Sequence, residues 1–141
     1  MEVMQQLIVE KRLEFEASPE RVWEAITDPE QIGRWFPDRV EIDEFQPGHG
    51  GVFEWGNHGR YAFEVEEMHA PERLVWRWAR DPDVGLGATP NTVVEWLLTR
   101  RDDGGTILHL RESGFGTEEL RQGNDDGWDK ELGELIEYLA A

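Results

Sequence analysis

Apolar positions in the last part of the chain recur at helical spacing. On a helix of about 100° per residue, one stripe between residues 117 and 139 carries Trp128, Leu132, Leu135, Ile136 and Leu139. Towards the N-terminal end, the same stripe continues through Asn124, Arg121 and Thr117. The pattern predicts an amphipathic helix whose last turns seal a core, while its first turns direct polar groups towards a cavity.

Earlier residues alternate between apolar and polar positions, as strands of an antiparallel sheet do. Residues 7–15 form the first predicted strand, and Ser18-Pro19 and Asp28-Pro29 then begin two short helices. Further strands, separated by turn residues, are predicted at residues 40–45, 52–55, 60–65, 73–80, 92–100 and 106–112. This order predicts an α+β fold in which a curved antiparallel sheet of six or seven strands wraps the final helix.

The more apolar face of each strand is expected to point towards that helix. This phase gives the inward series Leu74-Trp76-Trp78, Val94-Trp96-Leu98 and Leu108-Leu110-Glu112. A carboxylate thus continues an apolar series, and its burial without partners would be costly. Three interpretations of Glu112 stay open: a solvated charge at a strand end, a structural hydrogen bond to Asn124 or Arg121, and a contact to a polar ligand.

Composition limits the expected partners. The chain has 141 residues, a net charge of −17 and no cysteine. The length predicts a single domain over residues 1–141, and the acidic surface argues against nucleic acid and membrane partners. No apolar run approaches a membrane span and residues 1–10 lack the pattern of a signal peptide, so we expect a cytoplasmic protein.

Motifs that mark catalytic machinery or a bound metal are not visible in the sequence. The histidines His49, His58, His69 and His109 show no metal-ligand spacing, and the chain has no nucleophile elbow, P-loop or dinucleotide fingerprint. We therefore expect no metal and no cofactor. Glu112 and, less so, His58 in a predicted hairpin turn are the weak candidates for an acid or base.

Several segments together resemble a known family. They are residues 17–30 (ASPERVWEAITDPE), Trp35-Phe36, Gly104-Gly105-Thr106, Glu112-Ser113-Gly114-Phe115 and Gly127-Trp128 with Leu132 and Leu139. This set resembles the bacterial homologues of the activator of the heat-shock-protein-90 ATPase, in the START-like (SRPBCC) superfamily. The resemblance implies a helix-grip fold with a cavity between sheet and helix. The eukaryotic activators contact the chaperone through an additional N-terminal domain, for which this chain has no room, so we do not expect a chaperone partner.

The leading hypothesis is the binding of a small apolar ligand, aromatic or acyl, between the sheet and the final helix. Its expected contacts are Trp76, Trp78, Trp96, Leu110, Glu112, Arg121, Asn124 and Trp128. One alternative is an enzyme of the polyketide cyclase or hydrolase type that uses Glu112. Another is a protein-interaction module of the co-chaperone type, marked by an exposed apolar patch around Trp35-Phe36. A homodimer is left open.

Overall fold

The strands and helices follow in the order that the apolar pattern predicts. The structure, a computed structural model, describes residues 7–88 and 90–141. Residues 1–6, which carry part of the expectation about a signal peptide, and Thr89 in the predicted loop lie outside this description. The strands are β1 (Val9–Phe15), β2 (Arg39–Glu41), β3 (Gly50–Trp55), β4 (Gly59–His69), β5 (Arg73–Ala79), β6 (Asn91–Arg100) and β7 (Thr106–Ser113). The helices are α1 (Pro19–Thr27), α2 (Pro29–Trp35) and α3 (Glu118–Ala140).

All seven strands form one antiparallel sheet in the order β1-β7-β6-β5-β4-β3-β2. The two edge strands, β1 and β2, are consecutive in the chain, and α1 and α2 make the connection between them. The curved sheet packs its concave face on α3, which is the helix-grip fold that the sequence predicted.

Side-chain caps begin the three helices, as the sequence predicted for the first two. Ser18 Oγ accepts from the Arg21 amide at 3.2 Å, and Asp28 Oδ1 accepts from the Glu30 amide at 3.1 Å. Thr117 Oγ1 accepts from the Leu120 amide at 3.2 Å and begins α3. Each cap satisfies a backbone donor that the first turn of a helix leaves without an intrahelical partner.

The core lies between the concave face of the sheet and one face of α3. From α3 it takes Trp128, Leu132 and Leu135, while Ile136 is 43 % exposed. The apolar pattern predicted that Ile136 belongs to the core, but this residue lies at the margin of the helical stripe and the sheet does not reach it. No helix among the described residues is long and apolar enough to cross a membrane.

Two further expectations need correction. The strand predicted at residues 40–45 is β2, which ends at Glu41, because only Arg39, Val40 and Glu41 pair with β3. Trp35 and Phe36 form no exposed patch, because both side chains are buried in the core. The Trp35 Nε1 hydrogen donates to the Ala25 carbonyl at 2.7 Å, which fixes α2 against α1.

Candidate functional site

A buried carboxylate joins the sheet to the final helix. Glu112 follows Leu108 and Leu110 on the inner face of β7, and its side chain is fully buried. From α3, Trp128 Nε1 donates to Glu112 Oε1 at 2.8 Å, and Asn124 Nδ2 lies 2.9 Å from Oε1 and 3.1 Å from Oε2. The N-terminal half of α3 is therefore bonded to β7 through polar groups inside the protein.

The second carboxylate oxygen is bonded to two neighbouring strands. Trp78 Nε1 on β5 donates to Glu112 Oε2 at 2.8 Å, and Thr92 Oγ1 on β6 donates to the same oxygen at 2.5 Å. Donors from three elements thus fill the acceptor positions of both oxygens. A carboxylate held in this way has no free lone pair for a substrate proton.

Arg80 supplies the positive charge next to this anion. Its Nη1 lies 3.8 Å from Glu112 Oε2, and its guanidinium lies over the Trp78 ring at 4.7 Å from the ring centroid. Burial lowers the pKa of Arg80, and the charge of Glu112 opposes that effect. Among the described residues Arg80 donates no hydrogen bond, and its Nε is buried without a partner. The Glu112 oxygens are already occupied, so Arg80 balances charge without donating a hydrogen bond to the carboxylate.

A cleft of about 290 Å³ opens beside Arg80, between the ends of β3, β4 and β5 and the middle of α3. Five aromatic side chains line it: Phe36, Trp55, Tyr61, Trp78 and Trp128. The remaining lining residues are His58, Arg80, Asn124, Gly127, Lys130 and Glu131. The Phe36 and Trp128 rings are stacked with centroids 5.5 Å apart, which gives the cleft a packed aromatic wall.

Glu131 is the titratable group of the cleft with the most perturbed protonation. Burial raises its pKa to about 7, against the lowering effects of Lys130 and of a hydrogen bond with Trp55. The charges of Glu134 and Asp38 add to the increase. Near neutral pH this carboxyl therefore exists in both protonation states.

The N-terminal half of α3 is also fastened by an ion pair to the edge strand. Lys11 Nζ on β1 lies 2.6 Å from Asp125 Oδ1 and 2.8 Å from Asp129 Oδ1. Burial lowers the pKa of Lys11, but the hydrogen bonds with both carboxylates outweigh it and raise the pKa overall. Asp126 lies beside the same two carboxylates, whose charge Lys11 offsets.

Some of the site residues predicted from the sequence lie at the cleft, and others do not. Trp78, Asn124 and Trp128 line the cleft, and His58 lies at its rim. Glu112 lies directly behind them and bonds to all three cleft-lining residues.

Trp76, Trp96 and Leu110 do not line the cleft, because the core closes over them. Rings at the end of α2 and directly after it fill the expected space: the Trp35 centroid lies 6.1 Å from Trp96, and the Phe36 centroid 5.9 Å from Trp76. Arg121 does not reach Glu112, since its donors bond to Glu118 at 2.7 Å and to Asp125 at 3.1 Å.

Three polar residues of the site were not singled out from the sequence, although a signal for them exists. Arg80 continues the inward series of β5, Thr92 begins the inward series of β6, and Lys11 falls within that of β1. The phase argument that identified Glu112 therefore also applies to these residues.

Solved structures place the fold among known relatives. MLL2253 from Mesorhizobium loti is 23 % identical with a TM-score of 0.82, over 94 % of this chain and 96 % of that chain. DynU16, from the dynemicin biosynthetic locus, is 25 % identical with a TM-score of 0.81, and the match spans 97 % of this chain but only 48 % of DynU16. The Aha1 dimer from Colwellia psychrerythraea is 18 % identical with a TM-score of 0.76, over 94 % of this chain and 95 % of that chain.

Sequence comparison gives the family directly. No curated protein sequence matches the chain significantly. Residues 16–140 match the family described as Activator of Hsp90 ATPase homolog 1-like protein, which is nearly the whole length. The chain therefore belongs to the Activator of Hsp90 ATPase homolog 1-like family.

Proposed function

We propose that the protein binds a small aromatic ligand in the cleft between β3, β4, β5 and α3. The observation that supports this most strongly is the lining itself, in which five aromatic side chains surround one opening beside a buried cation. Ligand sites have this composition, with mostly apolar walls and a few convergent polar groups. At about 290 Å³ the cleft is small, which favours a molecule of one or two rings over a long acyl chain.

Burial of apolar surface supplies the affinity in this proposal. An aromatic group of the size of a protein side chain buries roughly 150–250 Å². At about 25 cal/mol per Å², this corresponds to roughly 4–6 kcal/mol before the cost of ordering the ligand. Stacking on Trp55 or Trp128 would add to this value, so binding in the micromolar to millimolar range is expected for a simple ring system.

Glu112 acts in this proposal as a structural anchor. Its oxygens hold Trp78 and Trp128 in place through the indole N–H groups, so the two rings present fixed faces to the cleft. Fixed side chains reduce the ordering cost of binding. The origin of DynU16 in a biosynthetic locus is compatible with a small-molecule ligand for this fold.

If the protein is an enzyme, Glu131 is a better candidate for the general acid or base than Glu112. Glu131 lines the cleft, and burial raises its pKa to about 7, the range in which a carboxyl works as a general acid or base near neutral pH. If the protein is a cyclase or hydrolase, Glu131→Gln should abolish turnover while Glu137→Gln, on the exposed face of the same helix, should not. Equal activity of the two variants would contradict a catalytic role for Glu131.

An interaction module receives no support from the exposed apolar residues. The large ones are Val84, Leu97, Leu120 and Ile136, which lie on a loop, on β6 and at opposite ends of α3. A homodimer stays a prediction. Because the Colwellia relative is a dimer, the oligomeric state should be measured by light scattering. A single domain over residues 1–141 and a cytoplasmic location also stay predictions.

A ligand screen tests the proposal. Native mass spectrometry of the protein as purified would reveal a retained molecule, and thermal shift would rank one- and two-ring aromatic compounds against fatty acids of matched apolar area. The proposal predicts stabilisation by aromatic compounds in preference to the fatty acids. Stabilisation by fatty acids alone, or by neither class, would contradict it.

A further inference from the structure

Arg80 is a largely buried cation that donates no hydrogen bond to any of the described residues. Its neighbour Glu112 already accepts from Trp78, Thr92, Asn124 and Trp128, and the closest Arg80 nitrogen remains 3.8 Å away. The guanidinium therefore lies beside a carboxylate whose acceptor positions are already used.

The Arg80 guanidinium lies over the Trp78 ring, with its central carbon 4.7 Å from the ring centroid, and its Nη1 is the nitrogen next to Glu112. A guanidinium in such a contact still has N–H groups for acceptors. Arg80 lines the cleft, so a carboxylate bound there could accept two parallel hydrogen bonds from the guanidinium.

The lining of the cleft holds more basic than acidic side chains, although the chain carries a net charge of −17. It includes Arg80, Lys130 and one carboxyl, Glu131, which is partly neutral near pH 7 because burial raises its pKa to about 7. Glu112 lies behind the cleft and offsets part of the charge of Arg80. The lining itself therefore presents little negative charge against an anionic group of a ligand.

We infer that the ligand of the cleft is an aromatic carboxylate, whose ring lies between the aromatic side chains and whose carboxylate binds the guanidinium of Arg80. This inference depends on the proposed function, since it specifies the chemical class of the ligand at the same site. It assigns to Arg80 the contact with the polar end that the sequence had assigned to Glu112, Arg121 and Asn124.

A pair of matched ligands separates the contribution of the carboxylate to binding from that of the ring. Calorimetric titration of the protein with 2-naphthoate and with the neutral 2-naphthamide compares two molecules of nearly the same shape. The titrations are run at physiological salt, where a Debye length of about 8 Å screens the repulsion from the acidic surface. The wild type should bind 2-naphthoate on the order of tenfold more tightly than 2-naphthamide, because only the acid offers Arg80 a negative charge and two acceptor oxygens.

Two variants assign this preference to Arg80. Arg80→Lys keeps a positive charge next to Glu112 but removes the planar guanidinium that pairs with both carboxylate oxygens, so the ratio of the two dissociation constants should fall close to one. Arg34→Gln removes an exposed cation of α2 that does not line the cleft and should leave the ratio within about twofold of wild type. Circular dichroism and melting temperatures confirm that both variants are folded.

The outcomes also separate the inference from the proposed function. Equal binding of acid and amide to the wild type would overturn the inference and leave aromatic binding in place. Loss of the ratio in Arg34→Gln, or its survival in Arg80→Lys, would overturn the assignment to Arg80. Binding of neither probe would contradict both this inference and the aromatic site on which it depends.

Discussion

The indole N–H of Trp128 on α3 donates a hydrogen bond of 2.8 Å to the buried carboxylate of Glu112 on β7. Because Asn124, one turn earlier on the helix, bonds to the same carboxylate, the middle of α3 has a fixed position over the sheet. Trp78 is fixed in the same way from the opposite side. The polar cluster around Glu112 thus determines where the aromatic walls of the cleft lie.

Replacement of Trp128 by Phe should destabilise the protein more than the same change at Trp96. Both side chains are buried and both lose packing, but only Trp128 donates its Nε1 hydrogen, whereas Trp96 Nε1 has no partner among the described residues. Loss of a hydrogen bond to a buried charged acceptor costs about 1–3 kcal/mol. The free energies of unfolding in urea should therefore differ by about that amount, with Trp128→Phe the less stable. Equal values would show that the bond contributes nothing.

Glu112→Gln should lower the free energy of unfolding by about 2–4 kcal/mol, because an amide NH₂ would face donors and Arg80 would lose its counter-charge. The matched control is Glu95→Gln on the outer face of β6, where the pair with Arg73 at 3.5 Å is largely exposed. An exposed ion pair contributes about 0–1 kcal/mol, so the control should change little. A Glu112→Gln variant as stable as wild type would contradict the role of Glu112 as anchor.

Glu131 should make stability fall as the pH rises from about 4.5 to about 7. Burial raises the folded-state pKa to about 7, above the unfolded value of roughly 4.3, so the folded protein binds more protons than the unfolded chain within this window. Glu131→Gln resembles the protonated form. Relative to wild type it should be more stable at about pH 8 and nearly equal at about pH 4.5.

Urea unfolding at the two pH values measures this difference, and Glu137→Gln, on the exposed face of α3, is the control. The control variant should keep the pH dependence of wild type. If Glu131→Gln also keeps it, the carboxyl titrates normally and its burial in the cleft has no energetic consequence.

The element order, the helix caps and the inward phase of the strands could be predicted from the sequence, because each depends on local spacing. Glu112 is the most informative example, since its place in an apolar series left three interpretations open, and in the structure it is buried and bonded to Asn124. The same rule extends to Arg80, Thr92 and Lys11. A phase argument is thus as useful for polar residues at strand ends as for apolar ones.

The position of the cleft could not be predicted in the same way, because it depends on how separate elements fill space. Spacing gives Trp76 and Trp96 an inward direction but does not show that Trp35 and Phe36 from α2 pack against them. Arg121 lies on the correct stripe of α3 yet pairs with Glu118 and Asp125, because these partners lie within one turn. Whether a side chain pairs with a neighbour on its own helix or with a residue on another element depends on the three-dimensional arrangement, which the sequence of one segment does not give.

The central claim is that the aromatic cleft binds a ligand, and two glycines of α3 allow a direct test. Gly127 lines the cleft and Gly123 lies one turn earlier outside it, and a Cβ atom at either position would meet nothing within 4 Å. Leu at either position should improve helix propensity by about 1 kcal/mol, so both variants should fold. Only Gly127→Leu places a side chain in the cleft.

The decisive measurement is the dissociation constant of the best aromatic ligand from the screen, determined by calorimetric titration for wild type, Gly127→Leu and Gly123→Leu. If the ligand binds in the cleft, Gly127→Leu should weaken binding on the order of tenfold or more. The Leu side chain would take the place of apolar ligand contacts that contribute about 1.5–3 kcal/mol to the binding free energy. Gly123→Leu should bind as wild type does. Equal affinity of all three proteins would contradict the account, because the ligand would then bind elsewhere.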